Sequence, residues 1–287
     1  MAAVEPVVMD TTPVGPRAAA AIETAEALAW ADMYAAAPPG FAASAGVETR
    51  EVGGALVLFW AATGRRYFSR VIGLGVSSPA SAEAVDEILE GYREAGISKF
   101  LLQSLPHCRP TEYEGWLRER GLEPFDAQDR IVRDAQPFVP PATAPRERGL
   151  TVERVDPATA DEWSDFLQRV YRLDTGNWLQ QLVGRAGWHQ YVAREHGEIV
   201  AARGMYVGPG GTAWLGMDGP VPGITTEDYE PDAALCAFIV EDGLARGART
   251  FIADVEARSS AMDTPAYAHF SHLGFRLPYV RTHYARV

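Results

Sequence analysis

A carboxylate at the end of an apolar segment is the first candidate for chemistry in this chain. Asp218 directly follows residues 213–217, which we expect to form a strand. A carboxylate in that position could act as a general base toward an ammonium substrate if it is buried. The next residues are Gly219 and Pro220, and Asp, Gly and Pro are residue types typical of a turn. Both interpretations of Asp218 stay open.

Two further carboxylates share one face of a predicted strand. Within 250–256, Asp254 and Glu256 alternate with apolar residues, and side chains two apart along a strand point to the same side. They could be functional, or they could form a polar sheet face that pairs with an arginine. His269 and His272 share one face of a predicted helix and could bind a metal with either acid. Because this spacing is common by chance, we predict no metal.

Arg203 lies in a segment of small and apolar residues, the predicted strand 199–207. A guanidinium there could hold a substrate carboxylate through two parallel hydrogen bonds. The alternative is an internal ion pair with Asp218 or Asp254.

Large side chains on the neighbouring strand are candidates for contacts with a substrate. We predict such contacts for Trp214 and Met217, together with Arg203 and Glu256. Trp188 and Trp214 could wall a pocket, but they could equally pack in the core.

The elements that must position these residues occur in the same order in both halves of the chain. Each half is predicted to fold as three strands, a helix, a strand, a helix and a strand. In each half a glycine ends both helices, at Gly96 and Gly121 and again at Gly247 and Gly274. Glycine after the last turn adopts the left-handed conformation that stops a helix. The pattern indicates a duplicated α/β domain.

Composition restricts the partners. The chain has 287 residues and a net charge of −12, with 38 acidic and 26 basic residues, which disfavours nucleic acid. Its longest apolar run, 55–62, is far shorter than the roughly 20 residues of a membrane span. Cys108 and Cys236 lack zinc-site spacing and fit a reducing cytoplasm, with Cys236 as a core residue. We expect no secretory signal, no membrane partner, and a cytoplasmic monomer or homodimer.

Proline-rich segments mark the predicted domain boundaries. Residues 138–148 contain three prolines and suit an extended linker, because proline fixes φ and removes a backbone donor. We predict a flexible arm over 1–16, an N-terminal domain over 17–137 and a C-terminal domain over 149–287. The C-terminal domain contains all the site candidates above.

Five segments, in this order, resemble tandem GNAT (N-acetyltransferase-like) proteins of actinobacterial type. They are YFSRVIGLG at 67–75, YVAREHGEIVAA at 191–202, AWLGM at 213–217, LARGAR at 244–249 and PAYAHFSHLGFR at 265–276. The resemblance covers roughly residues 20–287. It implies an α/β fold with two GNAT-like domains in tandem, each a mixed, mostly antiparallel sheet flanked by helices.

The resemblance also implies transfer of an acyl group from acyl-CoA to an amine. In this family two central strands separate, and the pantetheine arm pairs with the exposed backbone between them. Asp254 matches an acidic position of the family, and Tyr267 and His269 match residues beside the thioester. The resemblance thus makes Asp218, Asp254, Tyr267 and His269 the catalytic candidates.

One segment departs from the family pattern. The family binds the coenzyme pyrophosphate on backbone amides of a glycine-rich loop at a helix N-terminus. Here the equivalent window, 227–231, contains no glycine and no base, and Pro231 removes an amide. Four carboxylates lie in or next to it, at Glu227, Asp228, Glu230 and Asp232. We expect a long loop here and a helix over 233–246, with Pro231 near its first turn.

Three interpretations of this departure stay open. The loop has lost its role and its acids are a solvated helix start. Alternatively, CoA still binds weakly through the amides of Asp232, Ala233 and Ala234 with help from Arg246 or Arg258. In the third, the site has been rebuilt for a cationic or metal-bound ligand.

The leading function is therefore a GNAT-type acyltransferase acting on a small amine or amino acid, with CoA use in doubt. The first alternative is a GNAT-fold enzyme of small-molecule metabolism that does not use CoA and performs proton-transfer chemistry, as a lyase, isomerase or cyclase does. The second is a non-catalytic protein that binds a small molecule or a partner.

Overall fold

The computed structural model describes residues 9–137, 149–220, 226–256 and 265–286, so the predicted linker and Arg258 lie outside the described residues. The chain divides into two compact units. The N-terminal unit comprises Pro13–Asp129 and Tyr279–Val287, and the C-terminal unit comprises Met1–Thr12 and Arg130–Pro278. Each unit thus contains residues from both ends of the chain. The predicted domain boundaries stay a prediction.

The N-terminal unit is a sheet with helices, and its strand order is β1-β2-β3-β4-β11. Only β3 and β4 pair in parallel in this order, through Arg70–Leu101 and Val71–Leu102. Its elements are α1 (Pro16–Ala35), α2 (Pro39–Ala45), β1 (Val47–Val52), β2 (Ala55–Trp60), β3 (Arg70–Ile72), α3 (Ala82–Glu94), β4 (Leu101–Ser104), α4 (Tyr113–Glu119), the first part of β5 (Glu123–Asp134) and most of β11 (Arg276–Ala285).

The C-terminal unit repeats this plan, with strand order β5-β10-β9-β8-β7-β6. Strands β6 to β9 are antiparallel neighbours, and β9 and β10 pair in parallel. Besides the end of β5 and the start of β11, its elements are β6 (Thr151–Arg154), α5 (Ala160–Tyr171), β7 (Trp188–Glu195), β8 (Glu198–Val207), β9 (Thr212–Gly219), α6 (Thr226–Ala245), β10 (Thr250–Glu256) and α7 (Pro265–His272).

A buried apolar cluster lies against one face of each sheet. In the N-terminal unit it includes Phe59 and Ile88, and in the C-terminal unit it includes Ile239 and Phe251. Met9, in the segment predicted to be a flexible arm, is itself buried in the second cluster. Among the described residues, no helix combines the length and the apolar character that crossing a bilayer would require.

The prediction of a long loop before α6 is wrong. The helix begins at Thr226, seven residues before the predicted start, so that Pro231 lies inside it. Prolines usually lie in the first turn because they lack the amide that an interior turn needs. Here the acid-rich composition before Pro231 favours an additional N-terminal turn, since acids stabilise the positive end of the helix dipole.

Short 3-10 helices also occur, among them Leu179–Leu182 in the C-terminal unit and Arg66–Phe68 in the N-terminal unit.

Candidate functional site

The central strands of the C-terminal unit separate partway along their length. The parallel ladder between β9 and β10 joins three residue pairs, from Thr212–Thr250 to Trp214–Ile252. Beyond it, in the part of the chain that the structure describes, no pair joins Leu215–Gly219 to Ala253–Glu256. Backbone groups on the facing edges of the two strands therefore have no partner strand across the gap, and an extended ligand could pair with them.

A β-bulge occurs on the β9 side of this gap. The register between β8 and β9 shifts between Ala202 and Gly204, and Met217 has a left-handed backbone with φ of 54°. A bulge bends its strand and turns side chains to new directions. The next residue, Asp218, has a side chain that is 46% exposed, so the bulge presents a solvent-accessible carboxylate.

Arg203 lies beside the bulge and is buried. Its Nη2 and Nε donate to Asp232 Oδ1 at 2.9 and 3.1 Å, and Nη2 lies 3.5 Å from Asp218 Oδ2. The predicted alternative of an internal ion pair with Asp218 is therefore present, and the stronger partner is Asp232. One guanidinium thus contacts two carboxylates, of which only Asp218 is open to solvent.

Two more polar side chains contact the buried end of this ion pair. Cys236 Sγ donates to Asp232 Oδ2 at 3.9 Å, and His269 Nε2 lies 3.7 Å from the same oxygen. Burial lowers the pKa of His269 to about 4, an effect that the nearby Asp232 carboxylate opposes. Burial likewise raises the pKa of the Cys236 thiol well above its ordinary value. At neutral pH the site therefore contains a neutral imidazole and a neutral thiol beside an ion pair.

The three residues proposed to bind phosphate lie inside α6. Asp232, Ala233 and Ala234 follow the first residue of the helix by six to eight positions. Amides at that depth donate to carbonyls of the preceding turn, and only the first four of a helix are free. A phosphate could reach these amides only if the first turns of α6 unwound. Whether CoA binds there stays a prediction.

The remaining predicted residues are spread over several parts of the C-terminal unit. Asp254 Oδ1 lies 3.4 Å from Nη1 of the buried Arg130, an ion pair that agrees with the structural interpretation of this acid. Glu256 ends β10 and is exposed. Tyr267 is buried in the apolar cluster. Arg246 donates to Asp242 Oδ2 at 2.8 Å.

The predicted aromatic residues are buried as well. Trp214 packs edge-on against Trp188, with ring centroids 6.3 Å apart, and both side chains are buried, as the core interpretation predicts. The structure thus brings together Arg203, Asp218 and His269, but places Asp254 in a separate ion pair.

The equivalent gap in the N-terminal unit is filled by the chain itself. After β3, the carbonyl of Gly75 accepts from the Arg109 amide at 2.8 Å, and the Arg109 carbonyl accepts from the Ala80 amide at 2.7 Å. Cys108 Sγ also donates to the Leu74 carbonyl at 3.4 Å. The backbone that a ligand would need is therefore already hydrogen-bonded, which makes the C-terminal gap the candidate site.

Sequence reasoning missed Asp232 and Cys236 as partners of Arg203. Their spacing of four residues puts them on one face of a helix, and this spacing is visible in the sequence. The missing information was which face of α6 meets β8, because a local pattern does not identify the partner of a helix face.

Solved GNAT structures are similar to this chain. A GCN5-related N-acetyltransferase from Kribbella flavida has a TM-score of 0.58 at 15% identity, over 84% of this chain and 93% of that chain. A tandem GNAT protein from the clavulanic acid biosynthesis pathway has a TM-score of 0.54 at 13% identity, over 81% of this chain and 78% of that chain. A GCN5-related N-acetyltransferase from Sphaerobacter thermophilus has a TM-score of 0.53 at 15% identity, over 95% of this chain and 93% of that chain.

No family model and no curated protein matches the sequence. The likeness is therefore one of structure, and at these identities it establishes the fold alone. The separated parallel strands in the C-terminal unit agree with it, as does the repetition of one plan in both units. The predicted fold class is confirmed: the chain is an α/β protein with two GNAT-like domains in tandem.

Proposed function

We propose that the C-terminal unit transfers an acyl group from acyl-CoA to the amine of a small molecule or amino acid. The observation that supports this most is the gap between β9 and β10 beyond Trp214 and Ile252. An extended pantetheine arm carries amides that can pair with such strand edges, as a further strand would. The neighbouring GNAT folds make this the natural use of the gap.

Asp218 is the candidate base in this proposal. Its carboxylate is accessible at the bulge, while Arg203 keeps a positive charge beside it. It accepts a proton from the substrate ammonium, the free amine attacks the thioester carbonyl, and the carbon–sulfur bond breaks. The leaving thiolate takes a proton, for which Tyr267 is the candidate donor from the family resemblance. His269 is neutral at the working pH and could orient the substrate.

Calorimetric titration with acetyl-CoA, followed by an assay for free thiol with a panel of amines and amino acids, tests the proposal. We expect binding in the micromolar range and thiol release that depends on the amine. Asp218→Asn should lower the rate by about 100-fold or more, the usual contribution of a general base, with acetyl-CoA binding retained. Asp165→Asn, an exposed acid on α5, is the matched control and should change neither. Absence of binding at millimolar acetyl-CoA would refute the proposal.

The structure of α6 favours a second candidate, a GNAT-fold enzyme of small-molecule metabolism that works without CoA. Because residues 226–231 are helical, a pyrophosphate has no row of free amides at 232–234. The accessible charge beside the gap is the Asp218 carboxylate, which attracts a cationic substrate. Screening small cationic metabolites for a rise in Tm, with and without Asp218→Asn, would identify ligands of such a site. This candidate fails if acetyl-CoA alone stabilises the protein.

A further inference from the structure

Three potential metal ligands converge between α6 and α7. Asp232, Cys236 and His269 each provide one donor atom, and these atoms all lie within 4.8 Å of one another. Asp232 Oδ2 is 3.9 Å from Cys236 Sγ and 3.7 Å from His269 Nε2. Two of the ligands are one turn apart on α6, and the third comes from α7.

Nε2 of His269 is the polar atom of this cluster that the fold leaves without a close partner. The residue is 9% exposed, and its ring interacts with the Pro265 carbonyl, although within the described residues neither ring nitrogen has a hydrogen-bond partner in good geometry. Nε2 points toward Asp232 Oδ2, yet the separation of 3.7 Å is too long for a hydrogen bond. A buried nitrogen in this state costs free energy unless another group, such as a metal ion, uses its lone pair.

The charges leave one carboxylate oxygen for a cation. Arg203 donates twice to Asp232 Oδ1, so Oδ2 faces only Cys236 and His269 among the contacts above. A divalent ion that displaces the thiol proton would bring two positive charges to the Asp232 carboxylate and the Cys236 thiolate. Since Arg203 and Asp218 already balance each other, the cluster with the ion is neutral overall.

We propose that Asp232, Cys236 and His269 bind a zinc ion that joins α6 to α7. Mixed sulfur, nitrogen and oxygen ligands are typical of zinc. Tetrahedral zinc with ordinary bond lengths places such ligand atoms roughly 3.3–3.6 Å apart. The two pairs that include Asp232, at 3.9 and 3.7 Å, need to close by a few tenths of an ångström, and the Cys236–His269 pair, within 4.8 Å, by up to about 1 Å. The fourth position would be filled by water or by a substrate atom. This site shares His269 with the acyl transfer proposed above, but its test measures metal and not activity. It differs from the His269–His272 pair considered in the sequence, because His272 is exposed.

Zinc binding by the purified full-length chain tests the proposal. The protein is stripped with EDTA, incubated with zinc, freed of excess by gel filtration, and its metal content measured by mass spectrometry. We expect about one zinc per chain, and a Tm raised by roughly 5 °C at hundred-fold excess over Kd. Substitution by cobalt should give the near-ultraviolet absorption of a thiolate–cobalt bond.

Matched variants distinguish this site from adventitious binding. Cys236→Ser and His269→Asn should weaken zinc binding by more than about 100-fold, beyond the loss expected for an outer-shell partner. Cys108→Ser and His272→Asn change the same residue types away from the cluster and should retain the metal. Circular dichroism checks that each variant folds, and if His269→Asn does not, Cys236→Ser and the cobalt spectrum decide. Wild-type protein that retains no zinc, or equal losses in both pairs of variants, would overturn the proposal.

Discussion

Arg203 and Asp232 form an ion pair that is buried on both sides, with side chains 5% and 10% exposed. Removal of one partner from such a pair leaves an uncompensated charge in the protein interior. The pair therefore has more influence on stability than the exposed ion pairs of this chain, such as Arg50 with Glu48.

We expect Arg203→Leu to destabilise the protein by about 3–5 kcal/mol, because the Asp232 carboxylate then stays buried without its partner. The double variant Arg203→Leu/Asp232→Leu should recover most of this loss, since no charge remains to be compensated. Urea unfolding in EDTA measures both, and Arg50→Leu serves as the exposed control, with a change below about 1 kcal/mol. Equal destabilisation of the single and double variants would contradict the buried pair.

His269 makes stability depend on pH. Its pKa falls from an ordinary 6.5 to about 4 in the folded state because of burial, so the unfolded chain binds the proton more strongly. The stability that depends on neutral His269 is complete above pH 6.5 and is lost as the pH falls toward 4, by about 3 kcal/mol in total. Urea unfolding in EDTA at several pH values measures the free energy of unfolding, which should depend less on pH in His269→Gln than in wild type. His272→Gln should show the same pH dependence as wild type. If His269→Gln also showed the wild-type dependence, the assignment to His269 would be contradicted.

At the scale of the element, α6 shows where local sequence rules fail. Strands such as β2 and β10 are predicted to within a residue, because their apolar runs or alternation report burial directly. The start of α6 was missed because proline usually marks the first turn of a helix, whereas here Pro231 lies inside the helix. The partner of Arg203 was missed because it lies 29 residues away, and a local pattern does not show which helix face meets a distant strand.

Replacement of Pro231 tests the start of α6. If the helix begins at Thr226, Pro231→Ala restores an interior hydrogen bond and should stabilise the protein by about 1–3 kcal/mol. Pro265→Ala is the control, since Pro265 is the first residue of α7 and its missing amide costs nothing there. Urea unfolding compares them. No gain from Pro231→Ala would mean that the helix begins at the proline.

Pro231→Ala also connects this element to function. If acetyl-CoA needs the first turns of α6 to unwind, the same substitution should weaken acetyl-CoA binding while it raises stability. Calorimetry on Pro231→Ala beside Pro265→Ala gives this comparison.

At the scale of the molecule, the ends of the chain are exchanged between the units. Residues 279–286 belong to the N-terminal unit, where the buried Arg281 forms ion pairs with Glu23 and Glu26, and Tyr279 donates to Glu23 Oε1 at 2.8 Å. Local sequence patterns do not reveal such an exchange, because they report elements and not their partners. The predicted boundaries at 17–137 and 149–287 therefore separate Arg281 from both carboxylates.

We expect residues 149–287 expressed alone to aggregate or to unfold with low cooperativity, because Arg281 is then left without its partners. Residues 1–148 alone should behave in the same way, since the Glu23 and Glu26 carboxylates lose theirs. Co-expression of the two fragments should restore a cooperative transition by circular dichroism and a single species by gel filtration. Two fragments that each fold cooperatively alone would contradict this expectation.

The exchanged end also sets the order of events during synthesis. The last strand of the N-terminal unit follows residue 129 by about 150 positions, so at ordinary translation rates it emerges roughly 8–30 s after the rest of that unit. Throughout this interval the nascent N-terminal unit exposes the edge of β4 that β11 later covers, together with the Glu23 and Glu26 carboxylates that later pair with Arg281. Contact with chaperones during translation follows from this delay.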